Sequence, residues 1–187
     1  VKNYVEPFAG SAAMLLAAPE GRRIETINDF DGFVANFWRA LAHDPDAVAH
    51  HADWPVSEID LEARHAWLVQ RTGRLRWQLE DPDFYDAKIA GWWVWGACNW
   101  IGSGWCSGKG PHKTNGANLY DVRQLPHLGN AGQGINRDSG PLTRRAFIMD
   151  LFGKLHERLR DVRVTCGDWQ RVVKDSVTTR HGLTAVF

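Results

Sequence analysis

This sequence lacks an excess charge of one sign, a cysteine framework and a long apolar run. Lysine plus arginine number 22 and aspartate plus glutamate also 22 among 187 residues. Global charge therefore says nothing about an anionic partner, and any nucleic-acid face has to come from local segregation. Only three cysteines occur, Cys98, Cys106 and Cys166, with no C-x-x-C spacing. That argues against a structural zinc site and for a reducing, cytoplasmic setting; no metal of another kind is expected. The longest apolar stretch, about Ile89 to Ile101, is too short and too rich in tryptophan to span a bilayer, and the start shows no basic-then-apolar leader. A soluble protein without a membrane partner is expected. Two phosphate-binding glycine patterns are also missing. After Gly10 come Ser11, Ala12, Ala13 and Met14, so the second glycine of G-x-G-x-x-G is absent, which makes a nicotinamide dehydrogenase a distant reading. Ser107-Gly108-Lys109-Gly110 lacks both the Ser or Thr after the lysine and the upstream glycine of a P-loop.

What is present begins at the first residues. Tyr4-Val5-Glu6-Pro7-Phe8-Ala9-Gly10-Ser11 followed by Ala12 to Leu16 reads as a buried strand, a tight glycine turn and a helix. This is the opening of a nucleotide-binding α/β sheet, whose ligands sit beyond the carboxyl ends of the strands. Some twenty residues on, Ile24 to Asp29 reads as a second strand ending in an acid, placed to accept the hydroxyls of a ribose. A ligand with a ribose and no phosphate fits this turn best, and S-adenosylmethionine (SAM) is the common one. Glu6-Pro7-Phe8-Ala9-Gly10-Ser11 with Asn28-Asp29 resembles motifs I and II of the Dam-like (D12 class) adenine-N6 DNA methyltransferases.

Further along, Phe33, Val34, Phe37, Trp38 and Leu41 recur at helical spacing over 32–41, and Asp44-Pro45 closes that helix. Leu61 to Leu79 reads as one polar helix with Trp67, Leu68, Leu75 and Leu79 on its apolar side. Asp81-Pro82 reads as the start of an aromatic helix carrying Tyr85, Ile89, Trp92, Trp93 and Trp95. Ten tryptophans point to an aromatic helical core or to a stacking surface. Gly102 to Gly140 is an irregular stretch rich in Gly, Asn and Ser, where Lys109, Lys113, Arg123 and Arg137 collect. It is either a solvated loop or a surface that meets DNA phosphates and base edges. Pro141 opens an amphipathic helix with Phe147, Leu151, Leu155 and Leu159, and Phe152 beside them. Val162 to Cys166 is an alternating strand, Gly167-Asp168-Trp169 a turn, and Leu183 to Phe187 an apolar run typical of a strand buried on both faces.

The resemblance implies an α/β fold: a Rossmann-like SAM-dependent methyltransferase sheet with an inserted, mainly helical target recognition domain. The boundaries are 1–45 and 141–187 for the catalytic part and 46–140 for the insertion. It implies methyl transfer to the N6 amino group of adenine in double-stranded DNA, with the loop cations Lys109, Lys113, Arg123 and Arg137 on the DNA. It places the cofactor at Glu6, Pro7, Phe8, Ala9, Gly10, Ser11, Asp29, Asp168 and Trp169. Asp168 would accept from the adenine amino group and Trp169 would cover the ring; both are otherwise a loop acid and a core indole. The family's Asp-Pro-Pro-Tyr is absent from these residues and expected just after Phe187, so no catalytic residue is assigned here and the chain is expected to be part of a longer protein. Asp81-Pro82-Asp83-Phe84-Tyr85 imitates that motif but lacks its second proline. The alternatives are an RNA or cytosine-N4 methyltransferase and a non-catalytic SAM- or nucleic-acid-binding module.

Overall fold

The computed structural model describes residues 1–19, 21–101, 104–107, 135 and 142–187. Four parallel strands form its sheet: β1 (Asn3–Glu6), β2 (Ile24–Asp29), β3 (Val162–Cys166) and β4 (Thr184–Val186), in the order β3-β2-β1-β4. Asn3 lies opposite both Ile24 and Thr184, and Asp29 opposite Cys166. β1 is buried along its whole length and β2 over its four middle residues, as the covered centre of a parallel sheet requires. Strand order reverses between β1 and β4, and in open α/β sheets ligands bind at the carboxyl ends of the strands at such a point.

The first half of the chain folds as its periodicity predicts. α1 (Ala13–Ala17) follows β1, and α2 (Gly32–His43) follows β2 with Asp31 as its N-cap. α2 buries Phe33, Val34, Phe37, Trp38 and Leu41. Asp44 then ends α2 and caps α3 (Pro45–Ala52), accepting from the Ala47 N–H, with Pro45 at the first helical position. The sequence reading takes that pair as a stop only, so α3 is new.

Three expectations need correction. The helix expected over 61–79 is two, α4 (Glu58–Val69) and α5 (Thr72–Gln78). The Arg71 guanidinium donates to the Trp67 carbonyl at 3.0 Å, while its own N–H turns to Leu68, so the regular ladder stops there. Asp81-Pro82 starts a turn, not a helix. Arg39 of α2 donates to the carbonyls of Leu79, Asp81 and Phe84 at 2.9–3.2 Å and holds that segment irregular. α6 (Ala87–Asn99) starts after Asp86, which caps the Ile89 N–H and exchanges two backbone bonds with the buried Asn36 side chain. Finally, the strand expected to be buried on both faces, β4, is half-buried at one side of the described sheet, with Val186 49% and Phe187 56% exposed.

α7 (Arg144–Leu159) is capped by Thr143; Pro141 lies outside the described residues. Its most buried line is Ile148, Phe152 and Leu159, flanked by the partly buried Phe147, Leu151 and Leu155. One buried cluster runs from Tyr4 and Ile27 through Phe37, Trp38 and Leu41 to Val48, Trp95 and Phe152, so α3, α6 and α7 share a core with the sheet and α2. Arg158 of α7 grips the buried Glu25 carboxylate of β2 through both terminal nitrogens, at 2.6 and 2.8 Å. Burial by itself raises the Glu25 pKa, but the bonds and charge of Arg158, then of Arg23, outweigh it and lower the carboxyl below its usual range.

Tight packing of α6 on α3 depends on Gly91. A Cβ there falls 2.5 Å from His51 Cβ and 2.7 Å from the Val48 carbonyl oxygen. Helix propensity favours alanine over glycine by ~1 kcal/mol, but overpacking against backbone costs about 1–3 kcal/mol. Gly91→Ala is therefore expected to lower stability by about 2 kcal/mol in a urea titration, whereas a site governed by propensity would gain.

Candidate functional site: the carboxyl ends of β1, β2 and β3

Pro7 to Ala12 turn sharply after β1. Gly10 has φ +48° and Ala12 φ +51°, two left-handed residues in three positions. For Gly10 that conformation alone calls for glycine, since a Cβ there meets nothing within 4 Å. Ala12 is fully buried and adopts it with its methyl group in the core, a local strain of about 1 kcal/mol held by the surrounding packing.

The turn is tied down from four sides. Glu6, 5% exposed, accepts from the Tyr4 hydroxyl at 2.8 Å and the Leu15 N–H at 3.1 Å, bracing the turn from beneath. Burial, then the Glu6 bond and charge, push the Tyr4 pKa up, so the phenol stays a donor. The Ala9 N–H donates to the Asn28 carbonyl at 2.8 Å. Trp38 of α2 donates its indole N–H to the Gly10 carbonyl at 3.0 Å. From the end of β2, Asp29 accepts the Gly10 N–H on Oδ2 and the Asp31 N–H on Oδ1, both at 2.9 Å.

Asn28 couples the turn to the loop after β3. Its buried amide donates to the carbonyls of Pro7 and Gly167, both at 3.0 Å, and its Oδ1 lies 2.9 Å from the Thr165 hydroxyl. The Gly167 N–H in turn donates to the Asp29 carbonyl at 2.9 Å. Those ties set the spacing of two exposed aromatics, Phe8 and Trp169, whose ring centres are 6.0 Å apart. Because β2 lies between β1 and β3, the pair spans the end of β2 beside Asp29.

Of the expected cofactor residues, Phe8, Gly10, Asp29 and Trp169 thus gather at one edge. Pro7 and Ala9 are buried and act through their backbone, Glu6 is buried under the turn, and Ser11 is exposed. Asp168 is exposed and accepts the N–H of Gln170 in its own loop at 2.8 Å. Lys109, Lys113, Arg123 and Arg137 lie outside the described residues. Asn28, quoted in the sequence only as part of the second motif, and Thr165, not singled out there, are the residues whose role the sequence reading missed. For Asn28 the signal was a polar side chain at a position where a doubly covered strand should be apolar.

Asp29 shows what the edge can hold. An ionised carboxylate offers about four acceptor positions, and backbone N–H groups take two of them here. Two remain for a pair of vicinal hydroxyls. Beside it lies open space over Gly10 and an aromatic shelf made by Phe8 and Trp169. The donor set suits a ribose and a planar base. Among the described residues no group of three or more His, Cys, Asp or Glu side chains is placed to hold a metal ion, and no helix is long and apolar enough to cross a membrane.

No curated protein matches the chain. Residues 1–62, from β1 into α4, match the family model of the D12 class N6 adenine-specific DNA methyltransferases, which supports methyltransferase chemistry in general. Over this opening third, which contains the glycine turn, Asn28 and Asp29, the chain is similar to the Dam-like D12 class methyltransferases.

Proposed function

We propose that the protein is a SAM-dependent methyltransferase acting on the N6 amino group of adenine in double-stranded DNA, and that this chain carries its cofactor-binding site. The observation that carries this is the convergence of Gly10, Asp29, Phe8 and Trp169 at the carboxyl ends of three adjacent strands, within and beside the matched residues. Asp29 takes the ribose hydroxyls, Phe8 and Trp169 contact the adenine ring, and Asp168 accepts from its amino group. Glu6, Pro7, Ala9 and Ser11 shape the turn around the methionyl end, with Gly10 leaving room for close approach. SAM supplies an activated methyl group on a sulfonium. Everything the chain contributes to that transfer is placement, and in-line displacement is governed largely by placement.

The division at 45 and 140 is one of function, since α3 and α6 share the core of the sheet and α2. Residues 46–140, with Lys109, Lys113, Arg123 and Arg137, form the target recognition part, which meets DNA so that an adenine can be turned out of the stack. The aspartate and tyrosine that would polarise and stack the target base belong to Asp-Pro-Pro-Tyr, which these 187 residues do not contain.

The test is calorimetric titration of SAM into the full-length protein, followed by transfer of labelled methyl to duplex DNA and nucleoside analysis of the product. SAM binding with label in N6-methyladenine is expected. Label in RNA or at cytosine N4 overturns the substrate, and failure to bind SAM overturns the reading as a methyltransferase.

A further inference from the structure

A second site lies away from the carboxyl ends of the strands. A cleft of about 540 Å³ opens between α3, α4, α6 and the first turn of α7. Arg64 of α4 lines it, although the residue is only 6% exposed. Its guanidinium packs on the indole faces of Trp54, Trp92 and Trp95, with its carbon 4.8, 4.8 and 4.3 Å from the ring centres. Its buried Nη1 has no hydrogen-bond partner. Burial lowers the Arg64 pKa to about 10, and the charge of Asp60 offsets that only in part. Asp60 also accepts the Trp54 indole N–H, at 2.8 Å.

Lys88 of α6 also lines the cleft, its ammonium 4.4 Å from the centre of Trp92 and 5.0 Å from that of Trp67. Arg145 adds an exposed third cation. Asp53 and Asp60 also line it, so three cations face two carboxylates. Buried charges are ordinarily paired, and indole faces hold a cation without using up its N–H donors. The cleft therefore presents the positive charge of Lys88 and Arg145 beside a buried guanidinium with one donor unsatisfied.

We propose that this cleft binds a phosphate group, with Arg64 and Lys88 as its inner donors and Arg145 at its rim. A phosphate supplies several charged acceptor oxygens, which a guanidinium fork and an ammonium satisfy together. The group is either a phosphodiester of a nucleic acid strand or a free phosphate. The proposal uses none of the cofactor-site residues; its phosphodiester arm rests on the reading of 46–140 as the part that meets DNA, and its free-phosphate arm does not.

The test titrates the full-length protein with inorganic phosphate and, separately, with a short DNA duplex over a range of salt, following tryptophan fluorescence. The Lys88→Gln/Arg145→Gln pair leaves the buried Arg64 in place, and its unchanged melting temperature reports an intact fold. If the cleft holds a phosphodiester, the double variant loses about two from the slope of log affinity against log salt, roughly one per cation removed. If it holds a free phosphate, the variant weakens inorganic phosphate roughly 10-fold or more, the order expected for lost charged hydrogen bonds, and leaves duplex binding unchanged. Unchanged binding of both probes, or no binding of either, overturns the site.

Discussion

Asp29→Ala is expected to weaken SAM binding by at least ~100-fold, because two bonds from ribose hydroxyls to a charged acceptor contribute about 1.5–3 kcal/mol each. The same carboxylate holds the Gly10 N–H, so part of any loss could come from a loosened turn. An analogue lacking the ribose hydroxyls separates the two effects. If Asp29 binds the ribose, the analogue binds the parent and the variant with similar affinity, since neither complex makes those bonds. If the loss were only a slackened turn, SAM and the analogue would weaken by the same factor, and the ribose assignment would be wrong. Calorimetry gives both affinities, and far-UV circular dichroism checks that the variant keeps its fold.

The second large effect is expected at Asn28. Asn28→Asp keeps the shape of the side chain but replaces a donating amide with a carboxylate that can only accept when ionised. The carbonyls of Pro7 and Gly167 then face a negative charge in place of an N–H. Two buried acceptors left unsatisfied cost about 1–3 kcal/mol each. A loss of roughly 4 kcal/mol follows, which for a chain of this size is on the order of 10 °C in melting temperature. SAM affinity falls with it, because Phe8 and Trp169 stand on the two loops that Asn28 joins. Thr165→Val is the control: it removes a hydroxyl, with a single proton, that lies 2.9 Å from Asn28 Oδ1 and 3.0 Å from the Ile27 carbonyl, and leaves both Asn28 donations intact, so about 1 kcal/mol is expected. Equal losses at the two positions would show that the amide is not what couples the loops.

Much of this protein was legible before folding. A sharp glycine turn after an apolar strand, and an acid at the end of the next strand, were both read where the structure has them. Both are local signals: backbone sterics at Gly10 and burial at Ile24–Asp29 act over a few residues. Apolar periodicity likewise found α2 and most of α7. Local pattern misled where a distant side chain decided the outcome. Arg39 kept 79–84 irregular against a good helix-start signal, and the helix begins instead where Asn36 meets Asp86. Arg71 broke a continuous apolar pattern by taking a carbonyl of the preceding turn.

By itself, then, the sequence determined which strands form, where the glycine turn lies and which acid ends the second strand, because each follows from short-range sterics and apolar spacing. Only the tertiary structure decided that Asn28 binds two loops 160 residues apart, that Phe8 meets Trp169, and that Arg64 and Lys88 share one cleft with Arg145. Those are pairings across the sheet and between helices. Hydrogen-bond satisfaction and charge burial are set by what arrives opposite a side chain, and sequence spacing carries no record of that.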